Sequence, residues 1–167
     1  MTDQIIQSIV EFFQDKLPPE LTVFIISVLP ILELRGGLIA ATLLGMEPIK
    51  AFIICYLGNM LPIPFILLFL RRIFNRMRKM KHLGNLIEKL EKKAEKHRHT
   101  IEKYGSWGLL VLVAIPLPGT GGWTGALVAD IMDIRMKKSL PMIALGVLIA
   151  GLIVGTLSFG LLGNIIK

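Results

Sequence analysis

The sequence predicts an all-α integral membrane protein. It is built as an inverted repeat of a re-entrant helical hairpin plus a transmembrane helix, with an N-terminal amphipathic helix and a basic cytoplasmic helix. Three observations predict it. Of 167 residues, 53% are hydrophobic and 19% charged, and the mean hydropathy is +0.67, too apolar for an ordinary soluble domain. The charges are clustered, leaving uncharged runs of about the ~20 residues that cross roughly 30 Å of hydrocarbon. Two of the four apolar runs carry a cluster of breakers at their centres, Pro30 and Gly36-Gly37 around Glu33 and Arg35 in one and Pro116 to Gly122 in the other, where a continuous spanning helix seldom holds them. The length suits one membrane domain over 1–167.

Residues 3–17 place Ile5, Ile6, Ile9, Phe12 and Phe13 at helical spacing, with Asp3, Gln7, Glu11, Gln14 and Asp15 elsewhere on the wheel. This is the pattern of a helix lying on the membrane surface. It lacks the basic start and short apolar core of a cleavable signal, and Pro18-Pro19 end it. The first half, 21–70, opens with a broken segment: Leu21–Leu44 is apolar except for Glu33 and Arg35, flanked by Pro30 and Gly36-Gly37. Ala51–Leu70 comes next, uncharged and bracketed by Lys50 and Arg71-Arg72, and reads as a spanning helix that Pro62 and Pro64 kink.

Residues 71–104 form a basic linker. Twelve Lys and Arg lie between Arg71 and Lys103, out of 19 against 12 acidic residues and a net charge of +7. In so apolar a chain this stripe points to a cytoplasmic face on anionic lipid and away from nucleic acid. Asn85 and Glu88 start a helix near 86–104 that Gly105 stops. The second half, 105–167, repeats the earlier order. Tyr104–Ala129 is uncharged but interrupted by Pro116, Pro118, Gly119, Gly121 and Gly122; Asp130 to Lys138 is charged; Ser139–Ile166 is uncharged and long enough to span. Gly151-x-x-x-Gly155 permits close helix packing.

A shift of 85 residues superposes Val28, Leu32, Gly36, Gly37, Ala41 and Ile49 on Val113, Leu117, Gly121, Gly122, Ala126 and Ile134. Two geometries fit this order. Each broken segment crosses the membrane, giving four spans, or each enters and returns as a hairpin, giving two. Counting Lys and Arg barely separates them. The basic group 135–138 beside the membrane favours hairpins, and an arm of ~11 residues, about 16 Å of helix, reaches only the midplane. A hairpin plus one span reverses direction, which makes the repeat inverted. Non-helical backbone at that depth needs protein or a wet cavity around it, so the two tips are expected to meet and form the site.

The first tip offers Glu33, Arg35 and the Gly36-Gly37 backbone. Arg35 and main-chain N–H groups at a helix start suit an anionic group, and a carboxylate taken out of water holds its proton to higher pH, the requirement for proton coupling. The second tip offers Gly119, Thr120, Gly121, Gly122 and Trp123, a glycine-rich turn whose N–H groups suit a phosphate or carboxylate. Asp130 and Asp133 are candidates for proton access, though pairing with Arg135 also explains them. His97 and His99, two apart on a helix, point in different directions, so no metal site is expected. No nucleophile and base assemble, the membrane segments hold no histidine, and no enzymatic activity or cofactor is expected. Cys55 is the only cysteine, which leaves no intrachain disulfide. Two spans of so short a chain hardly enclose a cavity, so a homo-oligomer, a dimer first, is expected.

Glu33-Leu-Arg-Gly-Gly37 and Pro116-Leu-Pro-Gly-Thr-Gly-Gly-Trp-Thr-Gly-Ala-Leu127, in a chain of this size with a basic central helix, resemble the small multi-drug export protein family of bacterial membrane proteins, over nearly the whole chain. Glu102-Lys-Tyr-Gly105, leading into an apolar run and a Pro-Gly turn, is also similar to the second half of the DedA superfamily. That resemblance implies facing re-entrant hairpins and lipid-linked phosphate movement or proton-dependent drug tolerance. The chain departs from that pattern at Ala114 and Thr120, where those relatives carry arginines, so only Arg35 is left as a deep anion contact. The expectation is a proton-coupled secondary transporter of small amphiphilic, anionic or lipid-like substrates in the cytoplasmic membrane of a prokaryote. A proton/cationic-drug antiporter and a membrane scaffold are the alternatives.

Overall fold

The computed structural model describes residues 17–77, 104–117 and 120–162. The surface helix expected over 3–17, the helix near 86–104 apart from Tyr104, the His97/His99 pair and Gly119 lie outside the described residues. Among those described, all regular structure is helical: α1 Pro19–Val28, α2 Glu33–Leu43, α3 Pro48–Met60, α4 Pro62–Met77, α5 Ser106–Ala114, α6 Gly122–Ile131, α7 Met136–Leu157 and a π-helical turn, Ser158–Leu162. They fall into two compact units, Met1–Pro62 with Val147–Lys167, and Ile63–Gly146.

In the first unit, Pro19 occupies the first turn of α1, where its missing N–H costs nothing. Leu29 turns extended ahead of Pro30 and ends the helix. At 10 and 11 residues, α1 and α2 are each about 15 Å long, half a bilayer core. α1 packs on α2 and α3, and α2 on α3. Glu20 Oε1 lies 2.6 Å from Lys50 Nζ, and the Phe24 carbonyl lies against Gly58, so α1 and α3 run parallel. The chain turns back between them, and α2 runs the other way. Val23, Ile26, Leu34, Leu38, Ala40, Ala41 and Cys55 form the core. The buried hydroxyls of Ser27 and Thr42 donate to the carbonyls of Val23 and Leu38, at 2.8 and 2.9 Å, which satisfies them without outside partners.

Helix α3 buries Ala51, Cys55, Gly58 and Asn59 and exposes Ile49, Ile53 and Leu57, with Leu61 next in the row. Its outer stripe is more apolar than its inner one, the reverse of a soluble amphipathic helix. Among the described residues, two helices are long and apolar enough to cross a membrane, Pro48–Phe69 with 22 residues and Met136–Gly160 with 25. Leu61 keeps helical dihedrals and donates its N–H to the Leu57 carbonyl at 3.0 Å. The missing N–H groups of Pro62 and Pro64 therefore thin the hydrogen-bond ladder there without ending the helical path.

In the second unit, α5 packs on α6. Leu109, Leu112, Val128 and Ala129 form its core, with Leu67, Ile134 and Met142 against them. Local geometry repeats that of the first unit residue by residue. Gly45 and Asp133, 88 positions apart, both have positive φ (+64° and +59°). Each closes its helix with the same three backbone bonds: Leu44 to Ala40, Gly45 to Thr42 and Met46 to Ala41 in one case, Met132 to Val128, Asp133 to Asp130 and Ile134 to Ala129 in the other. A Cβ on Gly58 would lie 2.9 Å from the Phe24 carbonyl oxygen, and one on Gly146 3.0 Å from that of Leu110. Ser27 fills the notch between Gly37 and Gly58, and Val113 the notch between Gly125 and Gly146. The equivalent positions are 86 apart before the turn and 88 after it. The shift of 85 read from identities falls short because the second turn carries two more residues. Gly36 and Gly37 accordingly lie inside α2, used for close packing, and not in the turn itself.

Candidate functional site

The first turn, residues 29–32, exposes Ile31 at 82%, whereas Leu32 beside it is buried. Glu33 opens α2 at 8% exposure, with its N–H on the Leu29 carbonyl at 2.9 Å and φ at +52°. A left-handed backbone on a non-glycine residue costs about 1–2 kcal/mol. Such strain, held by surrounding structure, is a mark of functional positions. The Glu33 carboxylate belongs to the positive end of the α2 dipole, and it interacts electrostatically with the half-buried Arg35 two residues on. Gly36 and Gly37 are buried, and the Gly36 N–H is used on the Leu32 carbonyl at 2.8 Å. Of the residues expected at this tip, Arg35 is the one whose side chain suits an anion.

Beside these, the first unit holds an apolar cavity of about 490 Å³, within the ~300–1,000 Å³ range of ligand sites. Leu38, Phe52, Gly151, Leu152, Gly155 and Phe159 line it. The Thr156 hydroxyl at its wall bonds its own helix, 2.8 Å from the Leu152 carbonyl and 2.9 Å from that of Ile153, so the wall suits hydrocarbon. The glycine pair divides its labour. Gly151 lies under Phe52 and Leu34, whereas a Cβ on Gly155 would meet Leu38 at an ordinary 3.9 Å.

The second turn is tied by Thr120. Its hydroxyl lies 2.7 Å from the Ile115 carbonyl and 2.9 Å from that of Leu117, and accepts the Leu117 N–H at 3.2 Å. Gly121 has φ +149° and ψ −170°, a combination essentially confined to glycine, and Gly122 and Trp123 begin α6. Asp130 and Asp133, at the far end of α6, line one cleft of about 320 Å³ with Arg135 and Leu67. Thus one unit gathers Glu33, Arg35, Gly36 and Gly37. The other holds Thr120, Gly121, Gly122 and Trp123 at its turn and the two aspartates in the cleft.

Sequence reasoning missed the cavity, which no periodicity announces, and Asn59. Asn59 is 1% exposed, and its Oδ1 accepts no hydrogen bond among the described residues. The signal was present: Asn59 is the one carboxamide in the run Ala51–Leu70.

Half-length helix pairs, two long apolar helices and a buried ionisable tip among the described residues are those of a helical protein compatible with a membrane. Residues 33–153 match the family model described as "Putative small multi-drug export protein", and the chain belongs to that family. No curated protein and no solved structure matches it.

Proposed function

We propose that this chain is a proton-coupled secondary transporter of small amphiphilic substrates with an anionic or lipid-like head, and that it works by transport and not by catalysis. One observation carries the reading: a buried carboxylate held in a strained backbone at the tip between two half-length helices, with a guanidinium two residues away. While Glu33 is ionised it neutralises Arg35. When Glu33 takes a proton, Arg35 is left to bind an anionic head, so proton and substrate bind together. The cavity of the first unit takes the apolar body. The turn with Gly119, Thr120, Gly121, Gly122 and Trp123 lets a substrate approach its backbone, and Asp130 and Asp133 pass protons.

In the same reading the two helix pairs are re-entrant hairpins of an inverted repeat in the cytoplasmic membrane of a prokaryote. Residues 71–103 are cytoplasmic on anionic lipid, and the working unit is a homodimer. The short arms and the Glu20–Lys50 pair, which sets the start of α1 level with the start of α3, support the hairpins. The family's export description supports a second reading, proton-driven export of cationic drugs with Glu33 as the shared site.

Flux into proteoliposomes tests both. Arg35→Ala is expected to weaken anionic-amphiphile uptake by about 10–100-fold, the size of a lost charged hydrogen bond, and Glu33→Gln to abolish proton coupling. Cation export intact or improved in Arg35→Ala and lost in Glu33→Gln favours the second reading. A Glu33→Gln protein with unchanged flux and cellular phenotype favours a scaffold.

A further inference from the structure

We infer that Asn59 is the hydrogen-bond acceptor for the protonated carboxyl of Glu33, so that the two side chains together form the proton-binding site of the first unit. The inference rests on the proposed reading of Glu33 as proton carrier and names the partner that reading requires.

Packing of α2 against α3 sets the two residues at one level. Helix α3 turns Ala51, Cys55, Gly58 and Asn59 inward, and a Cβ at Gly37 would lie 2.9 Å from Cys55 Sγ, so Cys55 and Gly37 face each other across α3 and α2. These helices run in opposite directions. One turn onward from Cys55 is Asn59, and one turn back from Gly37 is Glu33; residues four apart stack on one helix face. Glu33 and Asn59 are therefore the next facing pair. The contact of Gly58 with Phe24 and Ser27, near the end of α1 that leads into the turn, puts Asn59 toward the same end of the unit as Glu33.

The chemistry comes from counting donors. A carboxylate accepts only, and the Asn59 amide oxygen accepts only. Facing each other in a dry interior, the two oxygens repel unless the amide turns its Nδ2–H2 to the carboxylate or a proton stands between them, and the buried, unpartnered Oδ1 is satisfied by the proton. On the neighbouring helix α1 the Ser27 hydroxyl proton is committed to the Val23 carbonyl. Among the described residues of the unit, Arg35 is the charged group at this level. Glu20, Glu47 and Lys50 lie at the opposite end, and Cys55 and Tyr56 on α3 are the remaining titratable groups. Ionised Glu33 thus turns to Arg35, and protonated Glu33 donates its O–H to Asn59 Oδ1. Exchange between the two partners releases Arg35 each time a proton binds.

The test is infrared difference spectroscopy, acid minus neutral, on the full chain in lipid. Glu33→Gln identifies the carboxylic C=O band of Glu33 by its loss. Asn59→Val takes its residue from the equivalent position of the second half, Val147, and is expected to move that band to higher wavenumber as the O–H loses its acceptor. Asn59→Leu, which shares the Cγ branching of Asn, reads the same shift if the valine variant does not fold, and Asn59→Gln is expected to restore the original position. A band unmoved in both acceptor-free variants overturns the role of Asn59 and leaves the proton carrier standing. If Glu33→Gln removes no band, the proposed function falls, and this inference with it.

Discussion

Gly37 and Ser27 approach so closely that a Cβ on the glycine would overlap the serine hydroxyl, and the same notch recurs between Gly125 and Val113 in the second unit. Short helices of ten or so residues have little intrinsic stability. What holds α1 against α2 and α5 against α6 is backbone proximity that only glycine permits.

Filling either notch should therefore be costly. Gly37→Ala and Gly125→Ala should each destabilise the protein by about 1–3 kcal/mol, the cost of overpacking a filled interior. Gly45→Ala, where nothing lies near the new methyl but φ is +64°, should cost about 1 kcal/mol from backbone conformation alone. Unfolding in graded denaturing detergent ranks the three; equal effects at all of them would contradict the packing account.

Topology is readable by labelling. In a background with Cys55 replaced, cysteines at Glu20 and Glu47 should react with an impermeant thiol reagent from the same side of the membrane, because both lie at the end marked by the Glu20–Lys50 pair. A cysteine at Ile31, half a bilayer deeper, should be shielded from the reagent on both sides. Labelling of 20 and 47 from opposite sides would mean that the broken segment crosses.

Thr120 holds its turn through three contacts with Ile115 and Leu117. Thr120→Val should cost about 0.5–1.5 kcal/mol, the loss of a turn hydrogen bond, and Thr120→Ser should recover most of it. Equal substrate affinity in the serine variant and the parent would assign the hydroxyl to structure; a drop confined to flux would give it a substrate contact as well.

Asp133 occupies a left-handed position that Gly45 fills in the first half. Asp133→Gly should therefore stabilise the fold, by up to about 1 kcal/mol. If the cleft with Asp130 and Arg135 passes protons, the same variant should slow proton flux. Stability measured by denaturation and flux measured in vesicles would move in opposite directions, and parallel movement would remove Asp133 from the proton path.

The sequence by itself determined the membrane-compatible class, the placing of the apolar runs and the site of each interruption, because hydropathy and proline act locally. Pro30 and Pro116 stop their helices wherever the rest of the chain goes. The chemistry of the first tip was legible for the same reason, since Glu33 and Arg35 stand out against apolar neighbours. Only tertiary structure decided the roles of the glycines. Gly36 and Gly37 look like turn residues in one dimension, yet both lie in a helix, Gly36 against Leu32 and Ile26 and Gly37 against Ser27 and Cys55. It also decided the repeat register, because the equivalence of Gly37 with Gly125 is one of packing partners and not of sequence neighbours. Asn59 gained its meaning last: an amide in an apolar run is ordinary until the neighbouring helix brings a carboxylate to its level.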